Sequence, residues 1–252
     1  LINAGIRLAA TGGTDNFSDV WYDPSGGAAR TYAHLVPGEA FTFDNWLDAV
    51  RAGRTFASSG PLLLLSVDGK GPGEELDLPA DGAGSLDVTL DVASIAALQR
   101  VELIVNGEIV RTWSMPEDSS RANFTASVEL DGPGWIAARA VGPASPYVGD
   151  DFAFAQTSPV HVLRDEEAFT SAADAAFLAE AVDTTWRLAR QRDTWRTQAQ
   201  ETRFRDGIEA ARAYYRNVVL KHPADPLFET KAPALFNVRL ETTKGPIVIE
   251  MH

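Results

Sequence analysis

Apolar and polar residues alternate through the middle of the chain in a succession of short runs. Leu86, Val88, Leu90 and Val92 alternate with polar neighbours in SLDVTLDVAS, and Val101, Leu103 and Val105 repeat the pattern in VELIVNGEIVRTW. Strict alternation of this kind puts every second side chain on one face of a strand. Asn106-Gly107 stands between the second run and a third that begins at Ile109, and this pair favours the type I′ turn of a two-residue hairpin. NFTASVELDGPGWIAARAVG adds two runs across a Gly/Pro turn, and DFAFAQTSPVHVLR supplies the last. Short strands at a spacing of roughly 8–12 residues predict an antiparallel, immunoglobulin-like β-sandwich over residues 61–165.

The period changes on both sides of this block. In residues 1–60, IRLAATGG reads as a buried strand running into a glycine turn. FTFDNWLDAVRAG reads as a helix, with Asp44 as its cap, Trp46, Leu47 and Val50 on one face, and Gly53 as its stop. Residues 166–220 predict a helical hairpin. Thr170 or Ser171 caps the first helix, and Phe177, Leu178, Val182 and Trp186 recur at helical spacing. A second helix from about Thr194 carries Trp195, Ala199, Phe204, Ile208, Ala211 and Tyr215. Pro223, Pro226 and Pro233 make residues 221–235 a linker, and residues 236–252 alternate as a further hairpin around Lys244-Gly245. The expected class is multi-domain α+β.

Composition narrows the chemistry. With 252 residues and 45% apolar content, the chain is long enough for sizeable cores. A formal charge of -13 and a pI near 4.7 argue against a nucleic-acid binder, because a phosphate-tracking protein needs a basic face. Cysteine is absent, so any metal has oxygen and imidazole ligands. No apolar run approaches the roughly 18 residues of a membrane span. The chain opens at Leu1 without an initiator methionine and stops at His252 inside an alternating run, as expected of a piece of a longer product.

The stretch LAATGGTDNFSDV, Leu8–Val20, carries the leading candidate for chemistry. Asp15 follows an apolar run and two glycines, where an α/β barrel places a catalytic or metal-binding carboxylate. A turn-forming Asp that accepts a local hydrogen bond fits the same position. Elsewhere the expectations are structural. Asp19 is solvated, Arg54 and Thr55 make helix-exit hydrogen bonds, and Gln156 and Thr157 end a strand. His34 is a half-exposed strand residue, and His161 points into solvent or towards a barrel. GKGPGEE, at 69–75, lacks the strand-to-helix context of a phosphate loop.

Several segments in one order resemble the carboxyl-terminal part of the CehA/McbA-type metallohydrolases of the PHP superfamily. They are NAGIRLAATGGTDNFSDV, RTYAHL, WLDAVRAGRTFASSGPLLLLSVDGKGPG, VELIVNGEIV, GWIAARAVGP and YVGDDFAFAQTSPVHV. The resemblance implies that residues 1–60 are the end of a distorted β/α barrel. It also implies a divalent-metal centre (Zn, Mn or Fe) that activates water against an ester, carbamate or phosphoester in a small-molecule substrate. Asp15 matches the last metal ligand of that pattern, while Phe17 stands where a His is usual. The family's H-x-H element is missing, and no two of His34, His161, His222 and His252 are spaced as ligands, so this chain alone is expected to be inactive. FNVRLETTKGPIVIEMH, at 236–252, resembles the first hairpin of a cyclophilin-type peptidyl-prolyl isomerase, which makes an isomerase fusion one alternative. A non-catalytic β-sandwich binding module is another. An exposed aromatic platform would mark it, and solvent-protected Trp113 and Trp135 would count against it.

Overall fold

The computed structural model describes residues 1–15, 26–78, 84–117, 119–192, 195–222, 236–242 and 245–251. The protein is mixed α+β and divides into two compact units, Leu1–Thr170 and Ser171–His252.

Two sheets face each other in the first unit. The smaller has the order β3-β5-β8, from β3 (Leu62–Val67), β5 (Gly84–Ala93) and β8 (Arg121–Leu130). The larger is centred on β9 (Gly134–Val141). On one side of β9 lie β6 (Arg100–Val105) and β7 (Glu108–Trp113), and on the other lie β10 (Phe154–Thr157) and β11 (Val160–Leu163). The alternation in the sequence sets the faces. Leu86, Val88, Leu90 and Val92 of β5 are buried, with exposed residues between them. They share one core with Val101, Leu103 and Val105 of β6 and with Ile136, Ala138 and Ala140 of β9. Asn106 and Gly107 both adopt positive φ, so β6 and β7 close through the expected two-residue turn.

One irregularity organises the far side of the large sheet. β10 and β11 both pair antiparallel with β9, but Gln156 faces Arg139 whereas Val160 faces Ile136. Thr157, Ser158 and Pro159 therefore oppose only two residues, which is a β-bulge. Pro159 has no N–H to give a ladder, and the Thr157 hydroxyl replaces a ladder acceptor by taking the Ala138 N–H at 2.9 Å. Beyond the bulge the strand changes neighbours. β10 pairs antiparallel with β2 (Thr55–Ser58), which pairs with β1 (Arg30–Ala33), while β11 pairs parallel with β4 (Glu75–Asp77).

β2 and β4 thus leave the bulge in opposite directions, and their starting ends abut. Gly73 makes the meeting possible. Its φ is +80°, and a Cβ there would lie 2.2 Å from the Ala52 carbonyl oxygen. The Gly73 N–H donates to Pro159 O at 2.8 Å, and the His161 N–H donates to Glu74 O at 3.0 Å.

β1 and β2, from residues 1–60, therefore belong to the same sheet as the strands of residues 61–165. Ile6–Gly13, expected as a strand, joins no ladder. Helix α1 (Phe43–Arg51) is capped by Thr42 rather than Asp44, and the Thr42 hydroxyl accepts the Asn45 N–H at 3.2 Å. It ends at Gly53 as expected, with φ of 73°. The N–H groups of Gly53 and Arg54 donate to Val50 O and Ala49 O, the paired bonds of a Schellman motif.

On the outer face of the large sheet, Ile104, Trp135 and Ala137 are covered by Ile2 and Phe169. Asn3, in a single 3-10 turn at Ile2–Ala4, accepts the Trp135 indole N–H at 2.7 Å and donates to Asn106 O at 3.0 Å. Glu102, 3% exposed on the same sheet, accepts from Arg100 Nε and Arg139 Nε at 2.6 Å each. Burial alone would push its carboxyl up. The hydrogen bonds and charges of the two arginines outweigh this and hold it below the ordinary carboxylate range.

The second unit contains α2 (Ala172–Arg192), α3 (Gln198–Leu220) and an antiparallel pair, β12 (Phe236–Thr242) with β13 (Gly245–Met251). Ser171 caps α2 through the Asp174 N–H at 3.2 Å, and Thr197 caps α3. The helices meet at Trp186 and Phe204, whose rings stack 6.1 Å apart with Trp195 against Phe204, and at the ion pair of Arg212 with Asp183, 2.6 Å. The linker prolines, residues 223–235, and the hairpin residue Lys244 lie outside the described residues.

Gly73→Ala tests the abutment directly. A side chain there meets both backbone strain and a carbonyl, so the first unit should lose about 2–4 kcal/mol of stability by urea denaturation. A change under about 0.5 kcal/mol, the size usual for surface substitutions, would show that β2 and β4 do not meet there.

Candidate functional site

Asp15 ends a segment held in place by hydroxyl groups. The Ala10 N–H donates to Ser158 Oγ and the Thr55 hydroxyl donates to Ala10 O, both at 2.8 Å. Thr55 and Ser158 are themselves 2.8 Å apart. At Gly12 the Thr31 hydroxyl does both jobs, accepting from the N–H and donating to the carbonyl at 2.9 Å each. Thr14 Oγ1 accepts the Gly27 N–H at 3.0 Å. Backbone groups that a strand would pair with a neighbouring backbone are satisfied here by side chains from β1, β2 and the bulge. The residue that turns the chain is Asp15 itself, with φ of 50°, a conformation that Asp tolerates better than most residues. Its carboxylate is exposed.

Asn16, Phe17 and Asp19 lie outside the described residues. Among the described residues no group of three His, Asp or Glu side chains comes together as a metal site. Structural and catalytic zinc sites draw on three or more protein ligands, more than the one carboxylate described here.

A different set of polar side chains converges at the bulge. A cleft of about 280 Å³ opens over the abutting ends of β2 and β4, lined by Arg7, Arg51, Gly53, Gly73, Ser158 and His161 among others. His161, expected in solvent or against a barrel, is only 9% exposed and lies at this cleft. Burial pushes its pKa down, the Arg7 charge pushes it further, and Glu75 offsets part of the shift. The ring is consequently neutral at neutral pH. Arg7 pairs with Glu75 through one guanidinium nitrogen, and Arg51 pairs with Asp48 in the same way at 2.9 Å.

Arg7 was visible in the sequence as a charge inside an otherwise apolar run, and His161 as a polar residue inside a buried one. Their convergence was not legible, because 154 positions separate them and only the bulge brings β11 beneath the amino-terminal segment. The helix-exit bond at Arg54 is made by its backbone N–H to Ala49 O, while the Arg54 side chain donates to His34 O at 3.2 Å and the Thr55 hydroxyl reaches the amino-terminal segment.

An apolar groove of about 580 Å³ runs along β3, where Tyr32 and Phe56 stack at 4.7 Å beside Leu62 and Leu64. Trp113 stacks on Phe124 at 5.1 Å against the core, and Trp135 is 8% exposed.

A histidine whose folded pKa is depressed binds fewer protons than the unfolded chain below about pH 6.5. Its stability contribution is present above that value and is lost as the pH falls towards the folded pKa. His161→Gln should flatten this part of the stability-against-pH curve of the first unit. The comparison of urea midpoints between neutral and mildly acidic pH measures it, and parallel curves for the two proteins would remove His161 from the cause.

Compared with family models, with curated proteins and with solved structures, the chain matches none.

Proposed function

We propose that this chain forms part of a divalent-metal-dependent hydrolase in which Asp15 contributes one metal ligand. What supports the reading is the ordered set of segments resembling the CehA/McbA-type enzymes, together with the position of Asp15. Its carboxylate stands exposed at the end of a segment whose backbone is tied at Ala10 and Gly12, with the Thr14 hydroxyl bonded to Gly27. A ligand needs such anchoring, since a carboxylate on a loosely held loop would spend binding energy on ordering itself. When bound, the metal would supply a water ionised near neutral pH for attack on an ester, carbamate or phosphoester. The other ligands come from outside the described residues.

The binding-module reading is weaker. The two tryptophans that would have formed a platform on the sandwich are shielded, one by Phe124 and the core, the other by its bond to Asn3.

Metal content and model-ester hydrolysis of the whole protein test the proposal. Asp15→Ala should lose most of the bound metal and lower hydrolysis at least about a hundredfold, within the range for loss of groups that position or activate a catalytic metal. Unchanged metal content in that variant would remove Asp15 from the ligand set.

A further inference from the structure

The cleft over the bulge has the features of a built anion site, and none of them depends on Asp15. Its walls are fixed. Gly73 is wedged against the Ala52 carbonyl and bonded to Pro159, and Ser158 is bonded to Ala10 and Thr55. Arg7 enters from the amino-terminal segment and Arg51 from the last turn of α1.

Each guanidinium gives a single nitrogen, NH1, to its carboxylate partner. Neither Glu75 nor Asp48 lines the cleft. A guanidinium carries five N–H donors, so most of those on Arg7 and Arg51 remain available. The two carboxylates neutralise the net charge nearby, so selectivity must come from the geometry of the donors rather than from long-range attraction. That condition favours a planar or tetrahedral oxyanion, which accepts two N–H bonds from one arginine.

His161 adds a third donor to the two arginines. It is nine-tenths buried and lines the cleft, yet among the described residues its imidazole makes no hydrogen bond with another protein group. Its ring nitrogens are not sealed inside the protein but open on the cleft, where a ligand can reach them. A neutral imidazole carries one donor and one acceptor, and its donor is suited to an oxyanion oxygen.

We propose that the cleft between Arg7, Arg51 and His161 binds a small ligand through a carboxylate or phosphate group. The volume of about 280 Å³ sits at the lower end of ligand clefts, so the ligand is a compact metabolite-sized anion rather than a polymer.

The probes are inorganic phosphate and succinate, titrated at constant ionic strength with sodium chloride as the reference salt. The readout is the NMR signals of the His161 ring, assigned with His161→Gln. At least one probe should shift these signals along a saturating curve and raise the apparent pKa of the ring, because a bound anion favours imidazolium. The probe that binds more tightly identifies the head group. Arg7→Gln should weaken that binding about tenfold or more, the loss usual for a charge-assisted hydrogen bond. Arg51→Gln, at an exposed helix position, should weaken it as well and serves if the first variant folds poorly. Shifts that never saturate with either probe would overturn the assignment. So would affinities within twofold of the parent in both arginine variants.

Discussion

The missing N–H of Pro159 is the constraint on which much of the first unit turns. A strand that could have run unbroken along β9 cannot hydrogen-bond through a proline, so it bulges at Thr157–Pro159 and its register slips by one. From that slip follow two separate neighbours on the outer side: β2 running one way with β10, and β4 running the other way with β11. Both the floor of the cleft and the position of His161 are consequences of this junction.

Hydroxyl side chains close the accounts that the bulge opens. Thr157 replaces a ladder acceptor for Ala138, while Ser158 and Thr55 hold Ala10, and all three hydroxyl residues are buried. An unpaired buried backbone group costs about 1–3 kcal/mol, so the bonds of Ser158 and Thr55 to Ala10 help keep the amino-terminal segment against the sheet, while that of Thr157 serves β9. This network also explains why Ile6–Gly13 is extended without being a strand. Its partners are side chains, and side chains do not propagate a ladder. Asp15, at the end of the segment, inherits its position from bonds made by Thr31, Thr55 and Ser158, of which the chain pattern marks only Thr55, as a helix-exit residue.

The second unit rests on other forces. α2 and α3 join through the aromatic rings of Trp186, Trp195 and Phe204 and through the Arg212–Asp183 pair, with Ile208, Tyr215 and Val218 buried along α3. Here the helical period found Trp186, Phe204, Ile208 and Tyr215, whereas Phe177 of the expected stripe is 69% exposed and α2 buries Ala172 and Ala175 instead. The first turn of α3 was misplaced by a few positions because Thr197, rather than a residue near Thr194, accepts the Gln200 N–H.

Most core-facing positions of the sandwich were legible in the chain's own pattern. Alternation in β5, β6 and β9, the Asn106-Gly107 turn, the stop at Gly53 and the periods of the two long helices were all readable, since each depends on neighbours a few residues away. Only tertiary structure decided that β1 and β2 join the large sheet, that Thr42 rather than Asp44 caps α1, and that His161 is buried beside Arg7 rather than solvated. These outcomes depend on which backbone groups find partners across the fold. A one-residue slip at Pro159 redirects strands more than 80 residues apart in the chain, such as β4 and β11, and no local pattern announces where such partners meet.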